Sequence, residues 1–146
     1  MRKIKDLMTT ELETCTLLDN VYEVSVKMKE ADVGAIPVVD QDRIIGIITD
    51  RDLVLRGYAE KRPGSTKVED VMTKNLITVT TDDQVYKAAK LMAEHKIRRL
   101  PVVDDGYRLI GMISLGDIAV NENTDYQAKT ALAEISEDHS SEKYMN

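Results

Sequence analysis

Two short segments carry the side chains best suited to hold a ligand. Thr49-x-x-Asp52 and Ser114-x-x-Asp117 each stand where a β-rich run gives way to a helical pattern. A Ser or Thr at such a junction can cap the helix, and its hydroxyl can also meet a phosphate group beside the first turn. The Asp three residues later is an acceptor-only carboxylate, so it can take both donors of a vicinal diol such as that of ribose. The same residues also spell an ordinary capping box with Asp in place of Glu. A third segment, Arg98-Arg99, precedes Leu100-Pro101-Val102-Val103. Neighbouring strand residues face opposite sides, so one of the two arginines is expected toward a cleft unless the segment is still loop. Guanidinium groups bind phosphate oxygens through two parallel hydrogen bonds. The bland alternative is a solvated basic edge whose exposed ion pairs contribute little.

Nothing in the chain assembles a catalytic set. No His, Cys, Ser or Lys constellation supplies a nucleophile with its base, so no catalytic residue and no enzyme activity is expected. His95 falls near a helix end, and His139 lies in the tail without a ligand-spaced partner. The lone Cys15 excludes an intramolecular disulfide and a multi-cysteine metal site. It reads as a small buried hydrophobe inside a strand run.

Composition narrows the class further. The chain has 146 residues and no Phe or Trp, so its core must be built from Ile, Val, Leu and Met. That disfavours an aromatic surface for stacking bases. The net charge of −6 is uneven: residues 122–146 hold six acids and two lysines, leaving −2 for the rest. No one-sided basic surface is present, which argues against a general nucleic-acid binder. No stretch approaches the roughly 20 apolar residues of a membrane span. The start, MRKIKDLMTT, has no apolar h-region. A cytoplasmic protein is expected.

The elements that must position these side chains come in two copies. Residues 3–40 and 67–104 align without gaps and are identical at 16 of 38 positions, where chance would give about 2 or 3. After a one-residue insertion the match resumes, GIITDRDLVL at 46–55 against GMISLGDIAV at 111–120. A unit of about 60 residues is marginal alone, so the two copies are expected to pack as a pseudo-twofold pair. In the second copy Leu76–Val79 reads as a strand, Thr81-Asp82-Asp83 as helix-cap candidates, and Val85, Ala88, Ala89 and Met92 as the apolar stripe of a helix ending near Glu94–Lys96. Two strands and a short helix at Leu115–Val120 follow, giving the order β-α-β-β-α. The first copy repeats it, with Val21, Val24 and Met28 as its stripe, strands at Ile36–Val39 and Ile44–Ile48, and a second helix from Asp50. The division predicted is 3–57, a linker 58–66, 67–121, and an acidic tail 122–146 with a helix at Tyr126–Ile135 and a disordered end.

Two β-α-β-β-α copies, each introduced by K-x-x-D-[LV]-M-T, resemble a tandem CBS-domain pair, the Bateman module. DLMT and DVMT (6–9, 70–73), AIPVVD and RLPVVD (35–40, 99–104), and GIITDRD and GMISLGD (46–52, 111–117) carry the resemblance, which spans residues 3–121. It implies a stand-alone, bacterial-type regulatory protein of α/β class that binds an adenosine-containing small molecule. AMP, ADP or ATP comes first, with S-adenosylmethionine or a dinucleotide as the alternative. It implies no required cofactor and no metal, a homodimer, and an unidentified protein partner told of energy or stress state. A homodimeric scaffold with vestigial sites is the other reading. In the family the T-x-x-D aspartate grips ribose, and a site combines that segment of one copy with the pre-proline segment of the other. Carried over, site A is Thr49, Arg51 and Asp52 with Ile77, Arg98 and Arg99; site B is Ser114 and Asp117 with Glu13, Gly34 and Ala35. Site A gathers the positive charge and is expected to prefer phosphate-rich ligands.

Overall fold

The computed structural model describes residues 2–120 and 133–135, which fall into two compact units. The copy-1 unit holds residues 11–76 with 105–109; the copy-2 unit holds the described parts of 1–10, 77–104 and 110–146. The units therefore differ from the sequence copies in two respects, the first being that residues 105–109 of the second copy fall in the copy-1 unit. The second is that the D-[LV]-M-T lead-in of each copy is built into the unit of the other.

In the copy-1 unit, α1 (Val21–Ala31) starts from a reciprocal cap. Asn20 Oδ1 accepts from the Glu23 N–H at 2.9 Å, and Glu23 Oε1 accepts from the Asn20 N–H at 3.1 Å. The carbonyls of Thr66 and Gly64 accept from the N–H groups of Val21 and Tyr22, so the linker satisfies donors that a helix start leaves without partners. Val21, Val24 and Met28 are buried, as their spacing predicts. β1 (Ala35–Asp40) and β2 (Arg43–Thr49) form an antiparallel hairpin. Its two turn residues, Gln41 and Asp42, both have positive φ (50° and 69°), the conformation that tight two-residue hairpin turns need. α2 (Asp50–Asp52) follows Thr49 directly and widens into π-type turns over Leu53–Gly57, where the Tyr58 N–H reaches the Leu53 carbonyl.

The copy-2 unit places β3 (Val79–Thr80) parallel to β4 (Arg99–Val103), with β5 (Leu109–Ser114) on β4's other side. α3 (Val85–His95) ends at Lys96 in the left-handed conformation, and α4 (Leu115–Ala119) leaves β5. Val85, Ala88, Ala89 and Met92 are buried together with Ile113 and Ile118. Residues 133–135 are helical, and Ile135 is buried in this core. The rest of the expected tail helix, 126–132, and the polar end 136–146 lie outside the described residues.

Two sequence expectations are corrected locally. The strand expected at Leu76–Val79 is confined to Val79–Thr80, and its copy-1 counterpart is a single parallel bridge, Cys15 to Val38. The Thr81–Asp83 run does not cap α3, whose N-cap is Gln84 without a side-chain bond. Asp83 instead turns back, accepting from the Thr80 N–H at 2.8 Å and from Lys87 Nζ at 3.2 Å. Burial raises its pKa, but the hydrogen bonds from Thr80 and the Lys87 charge outweigh that, and the carboxyl is held below its ordinary range.

The exchanged lead-ins explain the repeated glycines. Ile4 and Val68 open short 3₁₀ turns and are fully buried. Thr9 then pairs with Met112 of β5, and Thr73 pairs with Ile47 of β2. Each pairing crosses a glycine. A Cβ on Gly46 would stand 2.6 Å from Met72 Sδ, and one on Gly111 would stand 2.8 Å from the Thr9 carbonyl oxygen. Only glycine admits so close a backbone.

Cys15 is buried in the copy-1 core. Burial, and after it the charge of Asp19, push its thiol from 9.0 up to about 12, against a smaller opposite pull from Lys27. The folded state thus keeps a proton that the unfolded chain releases first. Stability is unaffected by this group below pH 9 and falls as pH rises from 9 toward 12. Native protein at pH 8 is expected to leave Cys15 unmodified by iodoacetamide over hours, and denaturant is expected to expose it. Rapid stoichiometric labelling of native protein would contradict this burial.

Candidate functional site

Both T/S-x-x-D segments are reciprocal helix caps. Thr49 Oγ1 accepts from the Asp52 N–H at 3.0 Å, and Asp52 Oδ2 accepts from the Thr49 N–H at 3.1 Å. Ser114 Oγ accepts from the Asp117 N–H at 3.0 Å, and Asp117 Oδ2 accepts from the Ser114 N–H at 2.9 Å. The structural role read from the sequence is therefore realised in both copies. A carboxylate has about four lone-pair sites, so the cap alone leaves room for a ligand's donors.

The pre-proline segments lie against the caps of their own copies. In the copy-1 unit the Asp50 N–H donates to the Gly34 carbonyl at 2.9 Å, and Ala35 pairs with Thr49 in the hairpin. A Cβ on Gly34 would come within 3.0 Å of Asp50 Oδ2, which favours a small residue there. In the copy-2 unit the Leu115 N–H donates to the Arg98 carbonyl at 2.7 Å. Arg99 is the exposed first residue of β4.

The predicted residues divide between the units accordingly. Thr49, Arg51, Asp52, Glu13, Gly34 and Ala35 belong to the copy-1 unit; Ser114, Asp117, Ile77, Arg98 and Arg99 belong to the copy-2 unit. Arg51 and Glu13 are exposed, while Thr49, Gly34 and Ala35 are half-buried. Ile77 is half-buried against the copy-2 core. Arg98 and Arg99 are both exposed, because Arg98 precedes the strand and escapes its alternation. Among the described residues no cluster of three His, Cys, Asp or Glu could hold a metal ion. No helix among them is long and apolar enough to cross a membrane.

The two carboxylates have different surroundings. Asp52 is buried at 9 % exposure. The Thr73 hydroxyl lies 3.2 Å from its Oδ1 and 3.1 Å from its Oδ2. Arg56 adds its Nε at 3.9 Å and ties itself to the Met72 carbonyl at 3.0 Å. Asp117 is half-buried, and its only hydrogen bonds among the described residues are those of the cap. Thr73 and Arg56 were missed from sequence. The i,i+4 spacing of Asp52 and Arg56 was a readable signal. Thr73 required knowing that its lead-in belongs to the other copy's unit, which the paired glycines could have shown.

The CBS domain profile matches residues 4–57 and 68–121. The Bacillus subtilis (strain 168) protein YlbB is 53% identical over 139 residues, covering 94% of this chain and 93% of its own. The solved CBS domain pair of protein MJ0100, in complex with 5′-methylthioadenosine and S-adenosyl-L-methionine, is 27% identical with a TM-score of 0.75, covering 82% of this chain and 94% of that one. CBSX2, solved in complex with AMP, is 30% identical with a TM-score of 0.72, covering 80% and 93%.

Proposed function

The chain belongs to the CBS domain family as a tandem pair, and we propose that it is a regulatory module that binds an adenosine-containing ligand without transforming it. The observation that carries this reading is the pair of cap carboxylates, one at the same strand-to-helix junction of each copy. Such a carboxylate suits a ribose diol, which presents two donors and needs an acceptor-only partner. Arg98 and Arg99, exposed beside the copy-2 cap, suit phosphate oxygens. Similar proteins bound to AMP, or to S-adenosyl-L-methionine with 5′-methylthioadenosine, support the adenosine class. The arginines favour a phosphorylated member, AMP, ADP or ATP, over an uncharged one. The bound state would then be read by a protein partner.

A thermal-shift panel of AMP, ADP, ATP, S-adenosylmethionine, 5′-methylthioadenosine and NAD tests the reading. A ligand at 100 times its Kd adds about 2.7 kcal/mol to the native state, which raises Tm by several degrees. A flat response across the panel would leave the scaffold reading in its place.

A further inference from the structure

The two copies carry the same T/S-x-x-D carboxylate but treat it differently. Of the lone-pair sites on Asp52, one takes the Thr49 N–H, and the Thr73 hydroxyl bridges both oxygens at 3.2 and 3.1 Å. The Arg56 guanidinium sits 3.9 Å from Oδ1, and the Asp52 side chain retains 12% exposure. Thr73 cannot drift away, because its N–H and carbonyl are both paired to Ile47, at 2.8 and 3.0 Å. Arg56 is pinned in turn by the Met72 carbonyl at 3.0 Å. A diol approaching Asp52 therefore competes with the Thr73 hydroxyl, shared between the two oxygens, and with the nearby Arg56 charge for a carboxylate whose side chain is only 12% exposed.

Among the described residues copy 2 lacks this arrangement. Thr9 is the counterpart of Thr73 and pairs with β5 in the same register, yet its side chain is exposed and makes no bond to Asp117. The position matching Arg56 is Asn121, which brings no cation. Oδ1 of Asp117 accepts no hydrogen bond among the described residues.

We propose that Thr73 and Arg56 clasp Asp52 into the fold, so that the two copies are unequal and Asp117 is the carboxylate that takes the ligand's diol. Asp52 then serves to lock the second copy's lead-in onto the first copy's hairpin. This deepens the adenosine-binding reading and rests on it for the ligand, but the clasp itself is testable without any ligand. Where the sequence assigned a ribose carboxylate to each site and set Arg98 and Arg99 with Asp52, this leaves the grip to Asp117, whose cap adjoins Arg98.

The test uses the full chain in a double-mutant cycle of Asp52→Ala and Thr73→Val, with Asp117→Ala and Thr9→Val as the parallel cycle. Thr73→Val is expected to lower Tm by about 2–5 °C in the wild-type background and by less than about 1 °C when Asp52 is already alanine. The parallel cycle is expected to show no coupling. Calorimetric titration with AMP is expected to give one equivalent per chain, weakened about tenfold or more by Asp117→Ala. Additive Tm losses at Thr73 and Asp52 would overturn the clasp. Two equivalents of AMP, or binding unaffected by Asp117→Ala, would overturn the inequality. Coupled Tm losses with no binding of AMP or S-adenosylmethionine would uphold the clasp and remove the adenosine reading instead.

Discussion

Replacing Gly111 by alanine is expected to lower the melting temperature by roughly 3–10 °C, from about 1–3 kcal/mol of overpacking. The added Cβ would stand 2.8 Å from the Thr9 carbonyl oxygen and 3.0 Å from Met8 Sδ. The sulfur ends a flexible side chain and can move. The carbonyl cannot, because it accepts from the Met112 N–H at 2.9 Å while the Thr9 N–H donates to the Met112 carbonyl at 2.8 Å. Relief therefore requires the lead-in to leave β5. Gly46→Ala is the milder case: its nearest contact is the movable Met72 Sδ, and the Thr73 carbonyl oxygen is 3.0 Å away. Gly57→Ala is the control, since nothing lies within 4 Å of its added Cβ. Melting followed by circular dichroism decides the ranking. A Gly111→Ala protein melting within a degree of wild type would mean that the lead-in does not cross β5 as described.

The second large effect concerns the arginines. Removing both in Arg98→Ala/Arg99→Ala is expected to weaken AMP binding by at least about tenfold, because a hydrogen bond to a charged group contributes about 1.5–3 kcal/mol. Adenosine, which lacks the phosphate, is expected to change by less than about twofold. Added salt should weaken AMP binding to the wild type more than to the variant, since screening acts on the charge pair. Equal losses for AMP and adenosine would show that the arginines support the fold rather than the phosphate.

Much of the fold was readable because its signals are local. The i, i+3, i+4, i+7 spacing of Val85, Ala88, Ala89 and Met92 identified α3, and those side chains are buried. Val21, Val24 and Met28 did the same for α1. The repeat at 64 residues supplied the second copy from the first. The caps at Thr49–Asp52 and Ser114–Asp117 were visible as four-residue patterns, and both formed. What escaped was long-range. No periodicity tells that Thr73 meets Asp52, 21 positions away, since that contact depends on which hairpin the lead-in joins. Gly46 and Gly111 held the clue, because a glycine inside an otherwise largely apolar strand implies a backbone passing close by. The cap of α3 was misread for a different reason. Asp83 found two donors behind it, the Thr80 N–H and Lys87, and closed a turn rather than the helix.

Residues 67–76 join the copy-1 unit while the chain that follows belongs to the copy-2 unit. Thr73 and Arg56 hold this crossover segment through Asp52 and the Met72 carbonyl. On the proposed reading, one copy keeps its carboxylate for holding the chain together and the other keeps its carboxylate for the ligand.

Isothermal titration of the 146-residue chain with AMP decides whether the module binds an adenosine nucleotide. Saturable binding with measurable heat, displaced by excess ADP or ATP, is expected. No saturable binding of AMP, ADP, ATP, 5′-methylthioadenosine or S-adenosylmethionine, in protein that melts cooperatively, would contradict it.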